Sequence, residues 1–220
     1  AAGCYSCHKP GPDLKNVDAS LPAGGTPFKT PVGTFYPPNL TPDPETGIGK
    51  WTDAQLGKAI REGIRPDGSV IGPPMPIPFL RGVSDQDLAA IIAYLRSQPA
   101  VKNAVEKSSY KIKLPPNYGP AVGKVAHPDE SNNVRYGGYL VAMGHWMDCH
   151  TPEVKGQLDM ARMGAGGRAF PGPYGVSISR NLTPHESGLQ TWKDEEIIRA
   201  VQTGVGRDGD SSAALARSVR

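Results

Sequence analysis

Cys4-Tyr5-Ser6-Cys7-His8 sets two thiols three positions apart, with an imidazole directly after the second. Two thiols at that spacing can add across the two vinyl groups of one haem as thioethers. The adjacent imidazole can then ligate the iron on its proximal side. A zinc site would need further Cys or His at matching spacing, and a thioredoxin-type dithiol would need a surrounding βαβ pattern. The sequence offers neither. The pentapeptide therefore points to covalently attached haem c, held by Cys4, Cys7 and His8.

A six-coordinate haem iron needs a second axial ligand, commonly a methionine thioether. Pro73-Pro74-Met75-Pro76 suits that role. Prolines on both sides hold a loop rigid, so the Met75 sulfur can meet the iron at low entropic cost. The competing reading is a methionine filling a gap in the core. Met75 on the iron would favour the ferrous form relative to two histidine ligands.

The chain repeats itself. Ala23 to Phe28 returns as Ala165 to Phe170, and Asn39-Leu40-Thr41-Pro42 returns as Asn181-Leu182-Thr183-Pro184, in both cases 142 residues later. One deleted residue then moves the match to 141, pairing Trp51 with Trp192, Asp53 with Asp194, Gly63 with Gly204, and Asp67-Gly68 with Asp208-Gly209. Two homologous modules follow from this.

The second motif is altered. His145 to His150 aligns with Gly3 to His8, so Trp146 stands where the first thioether cysteine belongs, while Cys149 and His150 remain. Two readings stay open: a second haem attached through Cys149 alone with His150 as proximal ligand, or a degraded site partly filled by the indole. Overpacking by a side chain that large costs about 1–3 kcal/mol. The counterpart of Met75 is Ala216, within a tail from Asp210 to Arg220 that resembles nothing near Val70 to Leu80. Met160 and Met163 are weaker substitute ligands, and Met143 and Met147 lie too near His150 in sequence. His127, His145 and His185 read as solvated loop residues.

These groups must be positioned by helices. Thr52-x-x-Gln55 is a capping box predicting a helix to about Glu62, stopped by Gly63, with Leu56, Ala59 and Ile60 inward. Ser84-x-x-Asp87 opens a second helix to about Ser97, and Leu88, Ile91, Ile92 and Leu95 supply its apolar face. Asn133 is expected to cap a helix through Leu140 that runs into the second motif, and Asp194 to Thr203 repeats the Thr52 helix. Pro115, Pro116, Pro120 and Pro128 forbid a continuous helix between the modules, which predicts an extended linker crossing the surface of both. No segment shows convincing strand alternation.

Composition bounds the rest. The 220 residues include 27 Gly and 23 Pro, and 38% are hydrophobic. The apolar residues fall in short periodic blocks, which predicts a loop-rich globular structure wrapped around a large apolar cofactor. A net charge of +3 with both signs interspersed argues against nucleic acid. No stretch approaches 18 apolar residues, so no membrane span is expected. Three cysteines, two of them assigned to haem, argue against a disulfide framework. Haem c matures outside the cytoplasm, so a leader is expected upstream or removed.

The runs C-Y-S-C-H-K-P, G-G-T-P-F-K-T-P-V-G-T-F-Y, N-L-T-P-D-P-E-T-G-I-G and P-P-M-P resemble the multihaem class I cytochrome c subunits of bacterial periplasmic dehydrogenases. The resemblance covers nearly the whole chain. It implies a mostly α fold: two tandem class I cytochrome c-like domains with long Gly/Pro-rich loops, the second incomplete. Each would have an N-terminal helix crossing the helix after the Met loop. The expected boundaries are 1–98 for the first domain, lacking most of its N-terminal helix, 99–133 for the linker and 134–220 for the second. The last is expected to be truncated or frameshifted after about 209, so the chain reads as a fragment at both ends.

The implied function is periplasmic electron transfer rather than catalysis. A dehydrogenase would be the donor, and another cytochrome, a quinone site or an oxidase the acceptor. The implied cofactors are haem c at Cys4, Cys7 and His8 with Met75, and a second haem in question at Cys149 and His150. The alternative is a haem enzyme, a dihaem peroxidase or a cytochrome oxidising sulfur compounds, using an open coordination site in the second domain.

Overall fold

The computed structural model of the chain describes residues 3–30, 32–154, 157–172, 175–207 and 209. Asp208, Ala216 and the tail from Asp210 lie outside them. The chain divides into two compact units, Ala1–His145 and Trp146–Arg220.

In the first unit the two capped helices form as their sequences require. Helix α2, Asp53–Glu62, follows the motif-bearing α1, Cys4–His8. Both arms of its capping box close: Gln55 N donates to Thr52 Oγ1 at 3.2 Å, and Thr52 N donates to Gln55 Oε1 at 2.8 Å. Gly63 ends α2 with φ of 68°, a left-handed conformation that costs glycine little. After the single-turn α3, Ile77–Leu80, comes α4, Asp85–Arg96, where Ser84 Oγ accepts from Asp87 N at 3.1 Å. Leu56 of α2 and Ile92 and Leu95 of α4 bury together with Ile48, and Leu40, Trp51, Ile60, Leu88 and Ile91 pack around them. Each fully buried aliphatic side chain contributes about 1.5–3 kcal/mol. Arg96 ties the two helices at one end, its guanidinium lying 2.6 Å from Asp53 Oδ1 and 2.7 Å from Trp51 O.

Four expectations are corrected. Short strands are present: β1, Phe28–Thr30, pairs antiparallel with β2, Gly33–Phe35, which pairs with β3, Ser109–Tyr110. Strands of two or three residues are too short for alternation to register in sequence. Among the described residues about 30% are helical and about 12% strand, so helix exceeds strand while loops make up the bulk.

The segment after Pro99 is not a bare extended linker. Asn103 Nδ2 donates to Ala23 O at 2.8 Å, Ser108 Oγ accepts from Tyr36 N at 2.9 Å, and Val122 N donates to Glu62 Oε1 at 3.0 Å. It is built into the first unit at several points.

Helix α5, Asn133–Met143, is capped by Asn132 rather than Asn133, Asn132 Oδ1 accepting from Arg135 N at 3.1 Å. The helix belongs to the first compact unit. There Tyr139 Oη donates to Asp87 and accepts from Ser84 N at 3.1 Å. His127 is correspondingly no solvated loop residue: its Nδ1 lies 3.2 Å from Ser84 Oγ and from Asp87 Oδ2, and its Nε2 lies 3.2 Å from Glu130 Oε1.

The second unit opens with α6, Trp146–His150. Two hairpins follow, β4 (Glu153–Val154) with β5 (Gln157–Leu158), and β6 (Ala169–Gly172) with β7 (Gly175–Ile178). Helix α7, Asp194–Thr203, ends at left-handed Gly204 as α2 ends at Gly63.

Candidate haem site

Helix α1 is a single turn carrying Cys4, Cys7 and His8 together. It enters from Gly3, whose φ of 64° is left-handed. His8 is 7% exposed, while both cysteines are half-buried. His8 Nδ1 lies 2.8 Å from the carbonyl oxygen of Pro38. A carbonyl only accepts, so Nδ1 carries the hydrogen and the lone pair sits on Nε2. Burial holds this imidazole below the ordinary histidine value, with the Pro38 hydrogen bond opposing it. A neutral, oriented imidazole is the form that ligates a metal. Burial also pushes the Cys4 thiol up.

The loops that hold His8 need glycine. Gly24, φ 72°, donates to His8 O at 2.8 Å, and a Cβ built on it would meet Pro37 O at 2.5 Å and Pro38 C at 2.6 Å. Backbone packs directly on backbone here, bringing the Pro22–Gly25 turn against the segment that orients His8. Below it, Asn39 Oδ1 accepts from Thr41 N at 2.9 Å and from Thr41 Oγ1 at 2.7 Å, and Leu40 N donates to Pro22 O at 2.8 Å. Met75 is half-buried on the Pro73–Pro76 loop that leads into α3, in the same unit as α1.

The second unit rebuilds this frame atom for atom. His150 Nδ1 lies 2.8 Å from Arg180 O, Gly166 N donates to His150 O at 2.7 Å, and Leu182 N donates to Gly164 O at 2.8 Å. Asn181 Oδ1 accepts from Thr183 N at 2.8 Å and from Thr183 Oγ1 at 2.7 Å. Each contact is the first unit's contact moved 142 residues along the chain. Cys149 and His150 sit together on α6, with Trp146 at its start 38% exposed. Arg168, at the position of Thr26, pairs with Glu153 at 3.0 Å and donates to Asp148 O. Met160 and Met163 are both exposed.

The donor set fits haem c: two thiols and a buried imidazole with Nε2 presented on one turn, and a thioether on a proline-bounded loop. Sequence reasoning found these side chains but not the Pro38 carbonyl, since a backbone acceptor has no residue signature. The repeated Asn-Leu-Thr-Pro run was its nearest visible marker.

A compact helical unit with a histidine oriented beside a C-x-x-C pair defines a class of covalent haem protein. Residues 1–99 match the family model described as cytochrome c. A dihaem c-type cytochrome of Cereibacter sphaeroides is 33% identical over 224 residues, covering 96% of this chain and 73% of that protein. The cytochrome c subunit of a quinone-type alcohol dehydrogenase from Gluconobacter oxydans is 32% identical over 91% of this chain and 44% of its own length. The cytochrome subunit of fructose dehydrogenase from Gluconobacter japonicus is 29% identical over 100% of this chain and 46% of its own. The chain belongs to the cytochrome c family, which implies covalently bound haem c. It spans less than half the length of these two dehydrogenase subunits. Among the described residues, no helix is long and apolar enough to cross a membrane.

Proposed function

We propose that this chain is a periplasmic electron carrier of two tandem class I cytochrome c modules, taking electrons from a dehydrogenase and passing them towards the respiratory chain. The observation that carries the reading is the His8–Pro38 hydrogen bond within a C-x-x-C-H turn, matched by His150–Arg180. Bound haem supplies reversible one-electron chemistry. Cys4 and Cys7 would hold it by thioethers, with His8 Nε2 and Met75 Sδ as the ligands to its iron. With both ligands supplied by the protein the iron would have no place for a substrate, which favours electron transfer over catalysis.

The second module would hold a further haem through Cys149 alone, with His150 as proximal ligand. Support comes from the repeated backbone frame, from the exposure of Trp146, and from the similarity to a protein described as dihaem. In sequence terms the modules are 1–98 and 134–220, joined by 99–133. The donor would be a dehydrogenase of the kind whose cytochrome subunits this chain resembles, and the acceptor another cytochrome, a quinone site or an oxidase.

Intact mass after maturation in a host with haem c machinery tests the reading. Two haems per chain are expected, and Met75→Ala should keep both while abolishing the methionine–iron absorption band. A chain that acquires no covalent haem sinks the proposal.

A further inference from the structure

We propose that residues 108–120, between the modules, form a strap that clasps the Met75 loop, with Tyr118 as its positioning residue. This rests on the reading of Met75 as distal ligand. On the upstream side Tyr118 Oη donates to Ile71 O at 2.9 Å. The Tyr118 ring lies on Gly63, where an added Cβ would be 3.0 Å from its Cδ2 and Cε2. Ile71 N donates to Gly63 O at 2.7 Å, so the end of α2, the start of the loop and Tyr118 close on one another.

The next residue is held as firmly. A Cβ on Gly72 would come within 2.6 Å of Tyr110 Cε1 and 2.7 Å of Leu114 Cδ2, so the strap packs against bare backbone. Tyr110 is itself fixed by pairing of β3 with β2 and by its ring against Phe35, 5.1 Å between centroids. On the downstream side Arg81, which caps α3, reaches back to Pro120 O at 2.5 Å. The loop from Ile71 to Arg81 is thus anchored at both ends to residues 118 and 120, with Met75 between them.

A thioether is a weak, neutral ligand, and keeping it on iron depends on how little freedom its loop has when released. Each ordered loop residue costs about 1–2 kcal/mol of backbone entropy, so anchors at both ends favour the ligated state. A strap drawn from outside the first module's own repeat makes its haem properties depend on the following segment.

Tyr118→Phe removes the hydrogen bond and keeps the ring on Gly63. The full haem-loaded chain would be titrated to alkaline pH while the methionine–iron band and the reduction potential are followed. Losing one neutral hydrogen bond should raise the loop-released population about fivefold. The midpoint at which the band disappears should then fall by about 0.7 pH unit. Tyr136→Phe, on α5, should leave it unmoved. An unshifted midpoint in Tyr118→Phe overturns the strap. Should that variant yield no folded haem protein, Arg81→Gln, which frees the downstream anchor, decides on the same midpoint. Survival of the band in Met75→Ala would instead overturn the ligand reading beneath it.

Discussion

His150 Nδ1 lies 2.8 Å from the carbonyl oxygen of Arg180, thirty residues away, as His8 Nδ1 lies 2.8 Å from that of Pro38. The two acceptors are different residue types, proline and arginine, because only the backbone is used. With Trp146 at the position that matches Cys4, the second unit keeps this orientation.

The surviving pair should therefore be competent for attachment. Cys149→Ser is expected to lower the covalent haem count from two to one, and Cys7→Ser to remove covalent haem from the first module. Peptide mapping of the haem-bearing fragments reads both. A parent chain with one haem, and none on the Cys149 peptide, would contradict the assignment.

Gly24 has no room for a side chain. Gly24→Ala puts a methyl 2.5 Å from Pro37 O, on backbone at φ 72°. Neither partner is a flexible side-chain end, so the turn itself must shift. Destabilisation of about 2–4 kcal/mol is expected in chemical denaturation. Gly68→Ala, with open space around its Cβ position but φ of 81°, should cost only about 1 kcal/mol.

Leu56 joins α2 to α4 at the centre of the first unit's core. Leu56→Ala should cost about 2–4 kcal/mol, since a cavity remains between two capped helices that cannot close over it. Thr52→Ala, which opens the capping box, should cost about 1 kcal/mol. Thermal denaturation of the haem-loaded chain would order the two, and a reversed order would contradict the packing described.

Acid should weaken the first unit through particular carboxylates. A hydrogen bond from Arg61 holds Asp85 below the ordinary carboxylate value, and hydrogen bonds from Thr46 do the same for Asp43. A depressed folded value means that the unfolded chain binds the proton more readily. The stabilisation is fully present above about pH 5 and is lost as pH falls through about 3.9 towards the lower folded values. The part of the denaturation midpoint set by these carboxylates should be flat from about pH 7 to 5 and drop below about pH 4. Buried His8, held below the ordinary histidine value, adds a loss that begins at about pH 6.5. Asp85→Asn should show a shallower drop, and an equal slope would remove Asp85 from the account.

What was legible in the sequence was local. The C-x-x-C-H turn, the Thr52–Gln55 and Ser84–Asp87 caps and the stops at Gly63 and Gly204 are contacts within a few residues. Residue type and spacing encode such contacts directly. The 142-residue repeat was equally readable, since it compares the sequence only with itself.

The tertiary structure decided which backbone carbonyl orients each histidine, that His127 joins Ser84 and Asp87 beneath α5, and that Tyr118 reaches the Ile71 carbonyl at the start of the Met75 loop. These contacts join residues 30 to 47 positions apart and often end on a main-chain atom or a bare glycine. Every residue carries a main-chain carbonyl, so its use as an acceptor leaves no mark on composition or spacing. Residue types and their spacing pointed to a haem; only folding showed that residues after Pro99 pack against both ends of the loop that carries Met75.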